Sequence, residues 1–301
     1  MTDIQNEIIR LKEEKNALVL AHYYQTIDIQ EVADFVGDSF ELAKIAQKTD
    51  KPVIVLCGVR FMAESAKILN PSKTVLLPAS DAGCLMADMI RPEDVIRMKE
   101  QHPEAAVMCY VNSTAETKTY CDICFTSSSA VKIAKSLKEK EIIFIPDRNL
   151  GAFVAEQVPE KTFHFYRGFC PIHNVVRPEE VEKARGEHPG APVLVHPECT
   201  PEVRAVADYV GSTSGIIKYV QDSPLTEFII GTEVGVVDRI NRFMKGKKAY
   251  LLSHHLHCVN MKKTKIEDVL HALQTMEEQI ELPEDVMDKA RLTLERMVSV
   301  Q

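Results

Sequence analysis

Short apolar runs alternate with amphipathic stretches along the whole chain. Residues 16–24 (NALVLAHYY), 105–112 (AAVMCYVN) and 191–198 (APVLVHPE) are each a β-branched or apolar run that ends in polar residues. That pattern predicts a buried strand with functional groups at its end. Further apolar strands are predicted at 52–57, 141–146 and 227–231, and a last set at TVLLPA, TFHFY and AYLLS. Helix-patterned stretches separate them, among them FELAKIAQK, SSAVKIAKSL and SGIIKYVQ. Strands alternating with helices indicate α/β units with mostly parallel sheets.

The pattern recurs with one period. Twelve residues after His22, Tyr110 and His196 come Asp34, Asp122 and Asp208, which are 88 and 86 residues apart. Five residues further stand the hydroxyls Ser39, Ser127 and Thr213, each opening a helical stretch where an N-cap is expected. Cys84, Cys170 and Cys258 close the three copies, 86 and 88 residues apart. The connecting string RPEDV at Arg91 returns as RPEEV at Arg177 and as KIEDV at Lys265. The chain therefore reads as three homologous Rossmann-like αβα units, 1–86, 87–172 and 173–260, with a helical tail, 261–301, packing back on them. Units this small lean on one another. Pseudo-threefold packing would bring their polar strand ends together around one central site, because ligands of parallel sheets sit at the carboxyl ends of strands.

Composition narrows the function. The chain of 301 residues is 45% hydrophobic and 27% charged, as in globular proteins. Its net charge of −8 argues against a nucleic-acid or acidic-membrane partner. No apolar run approaches the ~20 residues of a membrane span, and the N-terminal segment lacks a signal-peptide core. A cytoplasmic location is expected. Eight cysteines in a reducing compartment point to metal or redox chemistry more than to disulfides.

Cys84, Cys170 and Cys258, one per copy at matching positions, form the strongest constellation. Three thiolates around an axis suit an iron-sulfur cluster or zinc, with one coordination position left open. An open iron can act as a Lewis acid on substrate oxygens. Cys121 and Cys124 form a lone CxxC without a second pair and align with ordinary residues of the other copies. Cys57, Cys109 and Cys199 read as packing residues. His254, His255 and His257 beside Cys258 offer a competing zinc site, although neighbours in an extended segment face opposite ways.

The strand-end pairs His22 with Tyr24, Tyr110 with Asn112 and His196 with Glu198 form a polar lining fit for proton transfer around a carbonyl substrate. His173, three residues after Cys170, is a further candidate. The GDS, TSS and GST turns carry hydroxyls and helix-start N–H groups suited to anions. No P-loop or GxGxxG occurs, so nucleotide binding has no support.

AHYYQ at Ala21, GDSFELA at Gly37, CYVNSTAE at Cys109, FCPIH at Phe169, VHPEC at Val195 and DYVGSTSG at Asp208 carry a resemblance. The chain resembles the quinolinate synthase family over essentially its whole length. The resemblance implies three αβα units around a cavity holding a [4Fe-4S] cluster on three cysteines, here Cys84, Cys170 and Cys258, with one open iron. It implies condensation of iminoaspartate with dihydroxyacetone phosphate to quinolinate, phosphate and two waters, in NAD biosynthesis. Carried over by motif, Tyr24 and Glu198 move protons, Tyr110 and Asn112 line the cluster side, and His173 stands beside the substrate. Ser39, Ser127, Ser212 and Thr213, with His22 and His196, would cradle the anionic groups. Transient contact with an aspartate oxidase or dehydrogenase that supplies iminoaspartate is a further implication. The rival readings are a cluster-based sensor, a zinc hydrolase around Cys258, and a structural module.

Overall fold

The apolar runs form three four-stranded sheets in the computed structural model, which describes residues 1–300. Gln301, the end of the expected tail, lies outside the described residues. The first sheet contains β1 (Ala17–His22), β2 (Phe35–Gly37), β3 (Val53–Cys57) and β4 (Thr74–Leu76). The second contains β5 (Ala106–Tyr110), β6 (Ile123–Phe125), β7 (Glu141–Ile145) and β8 (Thr162–Phe165). The third contains β9 (Val193–Val195), β10 (Tyr209–Val210), β11 (Glu227–Gly231) and β12 (Lys248–Leu251). All three share the order second-first-third-fourth, with parallel pairing. Winding reverses between the first and third strands, and parallel sheets take ligands beside such a reversal, at the carboxyl ends. His22 and Tyr110 are the last residues of β1 and β5.

In the first and third sheets the repeated aspartate is a structural stitch. Asp34 Oδ2 accepts the Val19 N–H of β1 at 2.8 Å, and Asp208 Oδ2 accepts the Val193 N–H of β9 at 2.8 Å. Asp34 also pairs with Lys12 and Asp208 with Arg185, each at 2.9 Å. The same two cations donate to Val32 O and Val206 O, tying helix, turn and strand together. The connecting strings likewise open matching helices, Pro92–Gln101, Pro178–Glu187 and Ile266–Thr275. In each, the acidic residue three positions on accepts the N–H of Arg91, Arg177 or Lys265 and so satisfies an orphan donor at the helix start.

The described residues divide into two compact units: 1–96 with 111–124 and 259–300, and 97–110 with 125–258. In the first, Ile266, Val269, Ala272 and Leu273 of the third connecting helix share a core with Ile8 and Leu11 of the N-terminal helix and with Val19 and Val55. The tail then runs antiparallel beside β4, where Leu77 N donates to Glu278 O at 3.0 Å and Ile280 N to Val75 O at 2.8 Å. In the second unit, Val181 and Ala184 of the helix Pro178–Glu187 pack on Val193, Val195 and Ile229.

Gly231 ends β11 against β9. A Cβ there would lie 2.6 Å from Val195 Cγ1 and 3.0 Å from Leu252 Cδ2. Gly231→Ala is expected to cost about 1–3 kcal/mol through overpacking, read as an earlier thermal transition.

Candidate active site

Four of the expected site residues meet in the unit built from 97–110 and 125–258. Tyr110, at the end of β5, donates its hydroxyl to Glu198 Oε1 at 2.8 Å. The other carboxylate oxygen, Oε2, lies 2.9 Å from His173 Nδ1 and 3.7 Å from His196 Nδ1. A carboxylate only accepts, so His173 Nδ1 carries the proton of its bond. The opposite nitrogen, Nε2, meets Thr232 Oγ1 at 3.0 Å. His196 Nδ1 accepts the Glu198 N–H at 3.3 Å, which leaves its proton on Nε2 when neutral. The rings of His173 and His196 stack 4.9 Å apart. Cys170 Sγ is 3.2 Å from His173 Nδ1, placing a thiol at the edge of this proton network.

All four side chains are buried. Burial opposes the charge on Glu198, but the imidazoles of His196 and His173 and the Tyr110 hydroxyl outweigh it and hold the carboxyl down at about 2. Burial drives His196 the other way from its usual range, to about 4, against the attraction of Glu198. At neutral pH the pair is therefore a carboxylate beside a neutral imidazole. The unfolded chain binds a proton on this histidine between about pH 6.5 and 4, where the folded chain does not, so stability falls as pH falls through that window. We expect equilibrium denaturation at pH 7 and pH 5 to show the wild type losing about 2 kcal/mol more than His196→Gln.

Neighbouring backbone holds Glu198 from behind. Asn149 Nδ2 donates to Glu198 O at 3.0 Å, and buried Arg204 donates to Asn149 O and Cys199 O. Asp147, the fully buried cap of the helix that carries Asn149, stands two residues earlier, where burial and the charge of Glu198 push its carboxyl up against three backbone donors. Neither Asp147, Asn149, Thr232 nor Arg204 was an expected site residue. The shared offset of Asp147 and Glu233, 86 residues, was the signal available for the buried carboxylates.

The other unit holds His22, Tyr24, Ser39, Cys84 and Asn112. His22 Nδ1 accepts the Tyr24 N–H at 3.1 Å, the same bond that His196 makes two residues before Glu198. The His22 and Tyr24 rings meet edge to face at 4.5 Å. Lys262 Nζ donates to Tyr24 O, a contact that sequence reasoning did not supply. Asn112 stands on the turn after β5, held by the fully buried ammonium of Lys118 on Val111 O and Ser113 O.

The hydroxyl turns depart from expectation. Asp38, not Ser39, caps its helix, its carboxylate accepting Phe40 N and Glu41 N at 3.0 Å. These two donors are thus already satisfied. Ser212 rather than Thr213 is the cap of the third copy, accepting Gly215 N at 3.2 Å. Ser127 lies in the turn before the helix Ala130–Ser136, whose cap position is Ser129. In the first and third copies the cap falls on the residue with extended backbone just before the hydroxyl, whereas in the second it falls two positions beyond Ser127, on a residue already in helical conformation.

Five cysteines are buried, while Cys84, Cys170 and Cys258 are half-buried, and none forms a disulfide. Cys57 packs in the first core, where burial pushes its thiol up to about 12. Cys121 Sγ meets Thr117 O and Cys124 Sγ meets Thr293 Oγ1, both at 3.2 Å. Cys170, His173 and Glu198 place ligand atoms within 4.8 Å of one another. Among the described residues, His254 and His255 gather with Glu180 rather than with Cys258. His102, Glu141 and His164 form another such group, but it recurs as His188, Glu227 and Tyr250, each 86 residues on. Both sets stack two rings, at 3.4 and 3.5 Å, and bond the second to the glutamate. That group is therefore a strand-edge stitch of the repeat.

A family model described as quinolinate synthetase A protein matches residues 6–299. The quinolinate synthase of Clostridioides difficile is 50% identical over 295 residues, 98% of this chain and 97% of its own length. That of Alkaliphilus metalliredigens is 51% identical over 300 residues, 100% and 99% of the two chains. The quinolinate synthase of Methanoregula boonei is 49% identical over 297 residues, 99% and 98% of the two chains. With both the family model and these relatives spanning nearly its entire length, the chain belongs to the quinolinate synthetase A family.

Proposed function

We propose that this protein condenses iminoaspartate with dihydroxyacetone phosphate to give quinolinate, phosphate and two waters, as a step in NAD biosynthesis. The observation that carries this reading is the end-to-end likeness, at about half identity, to relatives named quinolinate synthase. The buried Glu198–Tyr110–His173 network supports it, because the reaction moves protons repeatedly and transfers no net electrons.

Cys84, Cys170 and Cys258 would hold a [4Fe-4S] cluster. They suit it: of eight cysteines these three alone are not buried, and they recur at the matching end of each copy. When bound, the cluster supplies a Lewis-acidic iron for a substrate oxygen. The protein's own groups do the rest. Ionised Glu198 accepts a substrate proton at Oε2, and burial strengthens it as a base once substrate displaces its donors. Tyr110 and His173 hold protons for return. Tyr24 serves proton movement in the triose phosphate. Ser39, Ser127, Ser212 and Thr213, with His22, Asn112 and His196, hold the anionic groups in register.

The domain reading that accompanies this function is three units, 1–86, 87–172 and 173–260, arranged about a central cavity, with the tail 261–301 packed back. An aspartate oxidase or dehydrogenase would supply the imine, and the work would be done in the cytoplasm. Among the described residues no helix is long and apolar enough to cross a membrane. The test is anaerobic purification with iron and sulfide assays, then quinolinate formation from dihydroxyacetone phosphate and freshly generated iminoaspartate. About four irons per chain and steady product formation are expected. Zinc-only protein, or none of the product, would overturn the reading.

A further inference from the structure

The cysteine loops are tied to the helices that follow the third strands, and the tie has two layers. The first is present in every copy. Arg60 N donates to Ala82 O at 2.8 Å, Arg148 N to Gly168 O at 2.9 Å, and Val234 N to Leu256 O at 2.9 Å. Each acceptor lies two residues before its cysteine. At Gly168 the approach is close enough that a Cβ would sit 2.6 Å from Pro146 O.

The second layer acts on the cysteine itself, in two copies. Cys170 N donates to Asp147 Oδ2 at 3.0 Å, and Cys258 N donates to Glu233 Oε1 at 3.2 Å. Each carboxylate spends its other oxygen on the helix start. Asp147 Oδ1 accepts Asn149 N at 2.8 Å and Leu150 N at 2.9 Å, and Glu233 Oε2 accepts Gly235 N at 2.7 Å. Both side chains are fully buried. The matching position of the first copy is Val59, whose side chain accepts no hydrogen bond.

A buried two-oxygen acceptor that bridges a helix cap and a ligand's backbone N–H sets the peptide plane of that ligand, and with it the direction of the thiol. We propose that Asp147 and Glu233 are positioning residues for the metal centre, fixing the backbone at Cys170 and Cys258. This rests on the reading of those cysteines as cluster ligands. Outer-shell partners of metal ligands commonly alter metal affinity 10–100-fold when changed.

The isosteric amides separate the two duties of each carboxylate. An amide has one acceptor oxygen, so Asp147→Asn and Glu233→Gln keep the helix cap but turn an NH2 toward the cysteine N–H. Two readouts test the proposal in full-length protein. In anaerobically purified holoenzyme, iron release to excess chelator, followed by visible absorption, is expected to be about 10–100-fold faster in both variants. In metal-free reduced protein, hydrogen exchange is expected to show the Cys170 and Cys258 amides protected in the wild type. Asp147→Asn should unprotect Cys170, and Glu233→Gln should unprotect Cys258, with the Leu150 and Gly235 amides still protected. Fast exchange at both cysteine amides in the wild type, or unchanged exchange and iron release in the folded variants, would overturn the proposal. A wild type without an iron-sulfur centre would instead remove the cluster reading, while the exchange experiment still decides the positioning.

Discussion

Glu198→Gln is expected to lower quinolinate formation by about 10²–10⁴-fold while leaving iron content and the thermal transition near those of the wild type. The amide retains an oxygen for the Tyr110 hydroxyl but sets an NH2 against the Nδ1–H of His173, so the carboxylate that joins Tyr110 to His173 is lost without removing volume. Tyr110→Phe should cost less, because His173 still donates to Oε2. Anaerobic steady-state assays normalised to iron are the appropriate measurement. A Glu198→Gln rate within a few-fold of wild type would exclude this carboxylate from proton transfer.

Cys84→Ala is expected to lose the iron-sulfur absorption and all turnover, with far-UV dichroism unchanged. Cys84 is half-buried and lies outside the hydrophobic cores, so on the proposed reading its removal takes away a ligand rather than packing. Cys57→Ala is the informative contrast. Cys57 is fully buried among Val19, Val55 and Leu76, and its burial keeps the thiol protonated. That variant should keep its iron and unfold earlier, by roughly 1 kcal/mol for a small cavity. Normal iron in Cys84→Ala would take it out of the ligand set.

Much of this was legible in the sequence because the chain says the same thing three times. A single apolar run leaves helix and strand ambiguous, whereas three runs in register, each followed by an Asp at a fixed distance, made β1, β5 and β9 and their ends recognisable. The strands β2, β6 and β10, two or three residues long, were hidden because they are not embedded in longer apolar runs as the equally short β4 and β9 are, and alternation cannot show in so few positions. The caps were misplaced by the opposite cause: Ser39 and Thr213 have the right chemistry, but the non-helical backbone falls one residue earlier, on Asp38 and Ser212. Glu198 and His173 were visible as residue types, yet their meeting at 2.9 Å depends on tertiary packing. Asp147 and Glu233 drew no expectation from the sequence, because a carboxylate that caps a helix and also accepts a distant backbone N–H is distinguishable only once the loops are folded together.

The tail segment beside β4 also closes a sheet edge. A parallel sheet's outer strand presents unpaired N–H and C=O groups that recruit other chains, and Glu278 and Ile280 occupy those of Val75 and Leu77. A chain ending near Met276 would lay that edge bare next to buried Val75, Leu76 and Leu77. Such a protein is expected to self-associate in light scattering at concentrations where the full chain does not. The last two dozen residues thus act as a built-in guard against edge-to-edge aggregation, a duty unconnected with catalysis.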